Sequence, residues 1–458
     1  MQTSPTAHAA ESGANAAASP PWPSPFRAWF AVAVIGMTVM TLFGNGAMIG
    51  LLMQSIKMDL QLTDTQVSLV VGFAASAFTA FASLPVSRLV DTTSRRLIIG
   101  VGMLLVGCGS FVTGLVTTFG GLFLARMAAG LGGAGHGPAC YSLLADSFPP
   151  AKLPKAIAFM NFGFTTGSAL ATLLGAALIA ALSATPHIDL PLIGTVKPWQ
   201  FVFILLALPD LFLGVLTLTA VKEPVRRGVA HGGAAQAAPP LREVIGFLWT
   251  RRAAFGPMFL GLAINSVAMG AAAWAAPFYQ RTYGWSPVQY GFYSGLVMLL
   301  VAPFALTFGG WLAERWAKAG RDDANMRVVV LAALLHAPFS MIYALMPSPQ
   351  LALACSSASA VLTLIGTGPQ NAALQVILPN AMRGQVTALY LFIFTMVGFG
   401  LSPTVIALIT DFVFHDEMKL RYSIAMLQFV LAPAAVYVFW RGLKAYAAAV
   451  ADTRSWAR

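Results

Sequence analysis

The sequence predicts an all-α integral membrane protein with twelve transmembrane helices in two six-helix halves, and three observations support this. Of the 458 residues, 58% are hydrophobic and only 9% are charged, whereas roughly a quarter of the residues of a soluble domain are charged. Twelve apolar segments reach the roughly 20 residues that cross a bilayer. Matched residues also recur at one spacing between the first and second halves of the chain.

The apolar segments fall into two sets of six on either side of a polar stretch. In the N-terminal half, 28–221, the predicted spans are 28–55, 66–87, 97–117, 121–146, 154–183 and 200–221. In the C-terminal half, 253–446, they are 253–279, 288–312, 326–346, 350–378, 385–412 and 421–446. The stretch 222–252, with its low-complexity segment HGGAAQAAPP, is predicted to link the halves. Residues 1–27 and 447–458 are predicted to be cytoplasmic tails, the first disordered because it is rich in Ala, Ser and Pro and has no continuous apolar segment.

The basic residues predict the orientation. With the N-terminus in the cytoplasm, cytoplasmic segments hold 21 of the 27 Lys and Arg residues, and only Arg126 lies within the membrane. The positive-inside rule therefore favours an inner-membrane protein with both termini cytoplasmic. The net charge of +11 reflects this topology and does not indicate a nucleic-acid partner, since the basic residues share no amphipathic face. The expected partners are the bilayer and a small molecule, and the chain is expected to be a monomer.

An internal repeat appears when the halves are aligned at an offset of 223 residues. The offset matches Thr63 with Ser286 and Gln66 with Gln289. Within each half, the hydroxyl residue and the glutamine three positions later have the spacing of a helix capping box. It also matches Gly72 with Gly295 and Asp91 with Glu314. Parallel six-helix repeats are the architecture in which two halves rock around a central site, so the repeat predicts alternating access.

Two loops resemble the signature of the major facilitator superfamily. They are SRLVDTTSRR, residues 87–96, and GWLAER, residues 310–315; in the first, Ser87 and Thr92 replace the family's Gly and Arg. The resemblance implies loops whose ion pairs hold and release the halves during gating. The alternative is that the basic residues of these loops only set the orientation of the protein in the membrane, by the positive-inside rule. The gating candidates are Asp91, Arg95, Arg96, Glu314 and Arg315.

A narrower resemblance lies in LARMAAGLGGAGHGPACYSLLADSFP, residues 124–149, and LPNAMRGQVTALYLF, residues 378–392, which are similar to bacterial members of the spinster-like branch. Animal members of that branch are associated with lysolipid and sphingoid phosphate export, which implies an amphipathic organic substrate. This chain departs from the family at two acidic positions. It has Asn45 and Gly46 in place of an Asp-Arg pair, and Gly133 in place of a Glu.

Arg126 is the leading candidate for contacting an anionic substrate. A cation at membrane depth costs roughly 2.5–3.5 kcal/mol unless it faces a partner or water, so its presence indicates function, with helix packing as the alternative. Amide and aromatic side chains at similar depth suit an apolar pocket with a few orienting polar groups, although each amide could equally bridge helices. These further substrate-binding candidates are Asn45, Asn161, Trp274, Tyr279, Gln370 and Asn371.

His136 and Asp210 are the candidates for proton coupling. His136 follows Arg126 and Gly133 along one helical stripe, and imidazole changes charge near neutral pH. Asp210 follows Pro209, so the alternative for this acid is that it solvates a kink in the helix. The alternative for His136 is a simple hydrogen bond between helices.

These features predict a secondary active transporter of a small organic acid or an amphipathic organic anion, with symport left open. The alternatives are an exporter of lipid-like or drug-like compounds, an uncoupled facilitator and, from other classes, a membrane enzyme or a transporter-like sensor. No GxxxxGK loop, HExxH pair or metal-ligand spacing occurs in the sequence, so no cofactor, metal or enzymatic activity is expected.

Overall fold

The computed structural model describes residues 22–149, 151–191, 193–226, 239–379 and 382–456, and nearly all of them are helical. The N-terminal half begins with α1, Pro25–Leu60. The second span comprises α2, Asp64–Ser68, a π-helical segment Leu69–Ala74, and α3, Ala75–Thr92. The remaining helices are α4 Arg95–Thr113, α5 Phe119–Gly133, α6 His136–Ser147, α7 Leu153–Leu182 and α8 Pro198–Ala220. Between α7 and α8, β1 Ile188–Leu190 pairs antiparallel with β2 Gly194–Val196.

The C-terminal half begins with α9, Leu241–Thr250, and its seventh span is α10 Arg252–Ala268 continued by α11 Ala275–Tyr283. Spans eight to ten are α12 Pro287–Lys318, α13 Ala324–Ile342 and α14 Pro349–Val376. The eleventh span comprises α15 Arg383–Ile393, a π-helical segment Phe394–Leu401, α16 Ser402–Leu408 and a second π-helical segment Ile409–Phe414. The last helix is α17, Leu420–Trp456.

The twelve predicted spans are confirmed, with one irregularity in the fourth. Among the described residues, eleven helical segments are long and apolar enough to cross a membrane. The fourth span is instead two shorter helices, α5 and α6, separated at Ala134 and Gly135. Pro138 explains the break, because its ring lacks an N–H and collides with the carbonyl four residues earlier. Pro138 therefore divides the fourth span into two helices.

Two predicted boundaries differ from the observed helices. The final helix does not end at 446 but runs to Trp456, so the predicted C-terminal tail largely continues the last span. The predicted linker contains α9. The rest of the predicted linker and the N-terminal tail fall mostly in 227–238 and 1–21, which lie outside the described residues.

The two halves meet along equivalent helix pairs. The fifth span packs on the eighth, and the second packs on the eleventh. The internal repeat exchanges these two pairs, and it also relates the first span to the seventh, which contact one another. An even number of crossings places Pro25 and Trp456 on the same side of the protein. We call this the terminal side and the opposite one, with residues 61–63, 183–197, 284–286 and 415–416, the far side.

The 223-residue repeat is confirmed in the local geometry. Thr63 with Gln66, and Ser286 with Gln289, both form complete capping boxes. The preceding helices also end alike, with Gln61 at φ 53° and Gly284 at φ 68°, both left-handed. Equivalent turns on the far side therefore start the second and eighth spans.

Gly72 and Gly295, also matched by the repeat, lie where the halves touch. A Cβ at Gly72 would be 2.7 Å from the Phe399 carbonyl oxygen on the eleventh span. A Cβ at Gly295 would be 3.0 Å from the Ala169 carbonyl oxygen on the fifth. Glycine is needed at both positions because the facing backbone approaches too closely for a side chain.

Gly72→Ala should therefore lower the free energy of unfolding by about 1–3 kcal/mol, because the added methyl overpacks a contact with backbone atoms. The measurement is the melting temperature of the detergent-purified protein. Gly120→Ala is the control, since a Cβ at this exposed helical glycine would meet no atom within 4 Å, and it should leave the melting temperature unchanged or higher. Equal melting temperatures for the two variants would contradict the close approach.

Candidate functional site

Arg126 lies in α5 and is buried, with 5% of its surface exposed. Its Nε and Nη1 atoms are buried and have no hydrogen-bond partner among the described residues. The charged group that acts on it is the Asp210 carboxylate of α8, which is itself fully buried. The structure thus brings together two residues predicted for different roles, a cation and an acid on the fourth and sixth spans.

Asp210 is held in place from the first and third spans. The Asn45 Nδ2 atom donates to Asp210 Oδ2 at 2.7 Å, and the Ser110 hydroxyl donates to Asn45 Oδ1 at 3.1 Å. The second carboxylate oxygen, Oδ1, is buried without a hydrogen-bond partner. We call Asn45, Ser110, Arg126 and Asp210 the N-half charged cluster. Its unpaired donors and acceptor are of the kinds that bind a charged ligand group.

Asn45 and Ser110 show what the sequence could and could not indicate. Asn45 was predicted to contact substrate, and in the structure its amide positions Asp210. Ser110 was not predicted, because a serine in an apolar span carries no signal of which helix it faces. The nearest signal is the unusual amide at Asn45 itself, and in the structure the acid Asp210 lies beside it.

His136 is the first residue of α6, and among the described residues no charged side chain is bonded to it. Its Nε2 atom is 3.1 Å from the Thr38 hydroxyl of α1, and Thr38 also donates to the Ile35 carbonyl. The histidine is buried, so this contact bridges the first and fourth spans. Its predicted proton role remains a prediction, and the observed bond is the helix–helix alternative.

The C-terminal half has a polar cluster of its own. His336 Nδ1 lies 3.1 Å from the Ser359 carbonyl oxygen and 3.1 Å from the Thr363 hydroxyl. Beside it, a small cavity is lined by His336 and Thr363 together with Asn265 and Gln370. The Gln370 Nε2 atom is buried and has no hydrogen-bond partner. We call Asn265, His336, Ser359, Thr363 and Gln370 the C-half polar cluster.

Trp274 and Tyr279, both predicted for substrate binding, are completely buried. The Trp274 indole N–H donates to the Pro403 carbonyl at 2.8 Å, which joins the seventh span to the eleventh. The Tyr279 hydroxyl is 3.1 Å from the Ser356 hydroxyl, and its ring stacks on Tyr290. In this conformation both side chains pack helices together.

Asn161 and Asn371 are exposed on the terminal-side parts of the fifth and tenth spans. Asn161 Oδ1 accepts from the Tyr141 hydroxyl at 3.1 Å. Asn371 Nδ2 donates to the Thr367 carbonyl one turn earlier, at 3.1 Å. Their amides are accessible but are not part of the two clusters.

Arg95 and Arg96 organise the terminal side of the N-terminal half. Arg95 is buried and pairs with Asp146 at the end of α6 and with Glu223, whose Oε1 lies 2.7 Å from Arg95 Nε. Burial opposes ionisation of Glu223, but hydrogen bonds from the Arg96 backbone, Arg95 and Ser94 outweigh it and hold the pKa of this carboxyl below its usual value. These contacts join the third and fourth spans to the start of the linker, so they tie one half together.

Glu314 and Arg315, which are also predicted gating residues, contact side chains one turn away in the same helix. Glu314 pairs with Lys318 one turn away at 2.6 Å. The Arg315 guanidinium lies over the Trp311 ring, 5.4 Å from its centroid. Asp91 lies in α3, but its side chain falls outside the described part of the chain.

The ion pairs that do join the halves lie on the far side. Arg281 at the end of α11 makes a bidentate pair with Asp64 at the start of α2, at 2.6 and 2.8 Å. Lys57 reaches Asp64 at 2.7 Å and also pairs with Glu417 of the C-terminal half. We call Lys57, Asp64, Arg281 and Glu417 the far-side gate. Because Asp64 and the Arg281 side chain are buried, these ion pairs lie within the contact between the halves on this face.

A second contact supports the gate. The Asp411 carboxylate of the eleventh span accepts from both the backbone N–H and the hydroxyl of Thr65, at 2.8 and 2.7 Å. Gln54 adds an amide oxygen 2.9 Å from Arg281 Nη2. No pattern in the sequence links these residues as a group. The only local signal was an acid directly after a capping threonine, and its partner is 217 residues away.

Within the described residues, no three His, Cys, Asp or Glu side chains are grouped so that they could hold a metal ion. Cys140 is buried, Cys355 is half-buried and Cys108 is exposed, and all three are free thiols.

Comparison with known proteins identifies a family that this chain matches over most of its length. The family model of the Major Facilitator Superfamily matches residues 30–403. An MFS-type efflux pump of Mycolicibacterium smegmatis is 24% identical over 416 residues, which cover 89% of this chain and 90% of that protein. A probable L-galactonate transporter of Escherichia coli is 23% identical over 295 residues, 61% of this chain and 60% of that protein.

The solved structures show the same fold. A bacterial homologue of the human lysosomal transporter Spinster, in an inward-facing and unoccupied conformation, superposes with a TM-score of 0.74 at 20% identity, covering 93% of this chain and 98% of that one. A D-xylose–proton symporter superposes with a TM-score of 0.64 at 18% identity, covering 90% and 97%.

Asp64→Asn or Arg281→Met should open the far-side gate. The first leaves the buried Arg281 without its carboxylate, at a cost of about 3–5 kcal/mol, and the second removes the cross-half partner of Asp64, which then keeps only Lys57 of its own half. The readout is Ala276→Cys in a protein whose native cysteines are replaced, since Ala276 is 3% exposed and packs on the N-terminal half. Its labelling by a membrane-impermeant thiol reagent should accelerate more than tenfold.

The matched control is Lys197→Met, which breaks the pair with Asp59 inside the N-terminal half. It should leave the labelling rate unchanged. If the gate variants label no faster than this control, the cross-half ion pairs do not hold the far side closed.

Proposed function

The chain belongs to the major facilitator superfamily and is a transporter, not an enzyme, and we propose that it carries a small organic acid or an amphipathic organic anion bound by Arg126. The observation that carries this proposal is the pair of buried, unpartnered guanidinium nitrogens of Arg126. Each buried unsatisfied donor costs about 1–3 kcal/mol. A carboxylate or phosphate group would supply charged acceptor oxygens to such N–H groups, and charge-assisted bonds of this kind are strong.

Asp210 supplies the coupling group in this proposal. While Asp210 is ionised, its charge offsets that of Arg126, and an incoming anion meets a neutral pair. Protonation of Asp210 leaves Arg126 as an uncompensated cation, so proton binding and anion binding favour each other by linkage. Asp210 interacts electrostatically with Arg126, whereas His136 is hydrogen-bonded to the Thr38 hydroxyl. We therefore assign the primary proton role to Asp210.

The membrane potential opposes the uptake of an anion that is not coupled to a cation. A negative charge entering a cell against 100 mV, negative inside, costs about 2.3 kcal/mol. Uptake of the anion with a proton is electroneutral and avoids this cost. The same arrangement in an uncoupled facilitator would equilibrate its substrate without accumulating it.

Alternating access follows from the two-half architecture and the closed far side. We assign the terminal side to the cytoplasm of an inner membrane, in keeping with the positive-inside distribution. The far-side gate then closes the periplasmic face, and the exposed Asn161 and Asn371 lie on spans that line the cytoplasmic approach. The similarity to an inward-facing Spinster homologue supports this orientation.

Export of a lipid-like or drug-like compound is the second candidate. It is favoured by the similarity to an efflux pump and by an apolar groove on the terminal side of the fourth and fifth spans. Eight residues line this groove: Trp22, Ala145, Phe148, Leu153, Pro154, Ile157, Ala158 and Asn161. An exporter with this groove would bind uncharged amphiphiles without Arg126, and this separates the two candidates.

Arg126→Met should weaken the binding of organic anions by roughly thirtyfold or more, since loss of a buried charged contact costs about 2 kcal/mol or more. Binding is measured by calorimetry with a panel of carboxylates and lysolipids on purified protein. Arg321→Met, at an exposed arginine on the terminal side, is the control and should bind as wild type. The double variant Arg126→Met with Asp210→Asn removes both buried charges and separates lost binding from lost folding. Undiminished anion affinity in either Arg126 variant would remove the proposal.

Asp210→Asn should abolish accumulation driven by an inward proton gradient while retaining exchange of labelled for unlabelled substrate in proteoliposomes. The amide keeps the shape of the side chain but does not titrate. His136→Gln, which retains a hydrogen-bonding group for Thr38, tests the competing assignment in the same assay. Gradient-driven accumulation that survives Asp210→Asn and is lost in His136→Gln would transfer the coupling role to the histidine.

A further inference from the structure

We propose that the outer face of α9 binds anionic phospholipids at the bilayer surface on the terminal side. In this arrangement Ile245 and Trp249 enter the boundary of the acyl chains, and Arg242 and Arg252 pair with the headgroup phosphates. The helix has ten residues and is too short to cross a bilayer, which takes about 20. The proposal does not depend on the transported substrate, so it is tested separately from the anion site at Arg126.

The first support is the position of α9 at the membrane surface. The seventh span begins at Arg252, two residues after α9 ends. The backbone leaves helical geometry between them, with Arg251 at φ −104° and ψ 26°, so α9 is a separate helix. It contacts both α10 and α15, and the Gln385 side chain of α15 donates to the Pro239 carbonyl at 2.7 Å, just before α9. The helix is therefore held against the ends of the seventh and eleventh spans, where lipid headgroups lie.

The second support is that the apolar face of α9 is wider than the part that the protein covers. At 3.6 residues per turn, its apolar residues occupy an arc of roughly 200°. On one side of this arc, Val244 is buried in the core of the C-terminal half, and Phe247 and Leu248 pack against that core. On the other side, Ile245 is 54% exposed and Trp249 is 70% exposed. Because α9 does not span the membrane, these two side chains reach lipid only at the boundary between headgroups and acyl chains.

The third support is positive charge beside the exposed stripe. Arg242 is exposed and lies roughly 20° from Trp249 around the helix. Arg252 is also exposed, and its guanidinium lies over the Trp249 ring, 5.6 Å from the centroid. Glu243, the one acid in the sequence of α9, lies roughly 120° from Trp249. Cations next to an apolar stripe at the membrane surface attract negatively charged headgroups.

The combination of charge and apolar surface selects an anionic phospholipid. A soluble anion would match the arginines but would leave Ile245 and Trp249 uncovered. A zwitterionic lipid would cover these two side chains, but its own cation offsets the phosphate that faces the arginines. An anionic phospholipid satisfies both parts of the face. Since Val244 and Gln385 fix this region to the C-terminal half, a bound lipid anchors that half at the membrane surface.

The binding test is native mass spectrometry of the full-length protein with added dioleoyl phosphatidylglycerol or dioleoyl phosphatidylcholine. Wild type should bind the anionic lipid roughly fivefold more tightly or better, which is the gain expected from one arginine near an anionic surface. Arg242→Gln combined with Arg252→Gln should reduce this preference by about threefold or more. Lys152→Gln combined with Lys155→Gln is the matched control, because it removes two exposed cations from the terminal side of the other half. It should keep the wild-type preference.

A second measurement locates the lipid on the helix. Ile245→Cys, in a protein whose native cysteines are replaced, is labelled with bimane and reconstituted with brominated phosphatidylglycerol. The bromines should quench this label at least threefold more than a label at Glu243→Cys, since only the Ile245 face enters the lipid. Both positions are exposed on the same helix, so each protein is a folding control for the other.

Glycerol 1-phosphate, which has the headgroup charge without acyl chains, distinguishes a lipid site from a phosphate site and should not displace the lipid. A preference that depends on the two arginines, together with selective quenching at Ile245, supports the proposal. It is overturned if wild type does not prefer the anionic lipid, if both double variants keep the same preference, if glycerol 1-phosphate displaces the lipid, or if the two labels are quenched equally.

Discussion

Charge and hydrogen-bonding groups inside a bilayer need partners within the protein, because hydrocarbon supplies none. Most of the buried polar groups here meet that condition. Arg281 is bonded to Asp64 and Gln54, and Arg95 is bonded to Asp146 and Glu223. Arg126 differs from these two arginines, because it is buried as deeply and yet has unpaired donors. The difference between a satisfied and an unsatisfied arginine separates structural cations from a candidate binding site.

The two halves contact each other through close backbone packing and through ion pairs. Gly72 and Gly295 let the facing backbones approach along both cross-half helix pairs. At one of these pairs, π-helical segments of the second and eleventh spans, Leu69–Ala74 and Phe394–Leu401, touch each other. Such segments are often functional, since they relax the regular helical ladder. The ion pairs of the far-side gate lie at one end of this interface, so their loss would let the halves rotate without unpacking it.

The sequence predicted the helices better than it predicted the contacts between them. Apolar length located every span, and the capping boxes located the turns that start the second and eighth, because both signals are local. Arg126 was found because a lone cation in an apolar span is unusual. Its partner Asp210 was assigned to a different role, since nothing local shows that residues 84 positions apart face one another. Trp274 and Tyr279 resembled ligand-binding aromatics by composition, but burial places them in helix packing. Pairing between distant spans depends on the three-dimensional arrangement, and one sequence does not contain it.

The distribution of charge between the halves has a consequence for transport. Asn45, Arg126 and Asp210 all belong to the N-terminal half, whereas the far-side gate bonds one half to the other. A ligand bonded to Arg126 alone keeps the same partner whether the halves are open or closed. Because a ligand shifts an equilibrium only by its differential affinity for the two states, it favours closure only if it also contacts the C-terminal half. A molecule with nothing but the anionic group would bind without favouring closure. Selection for transport would therefore be stricter than selection for binding.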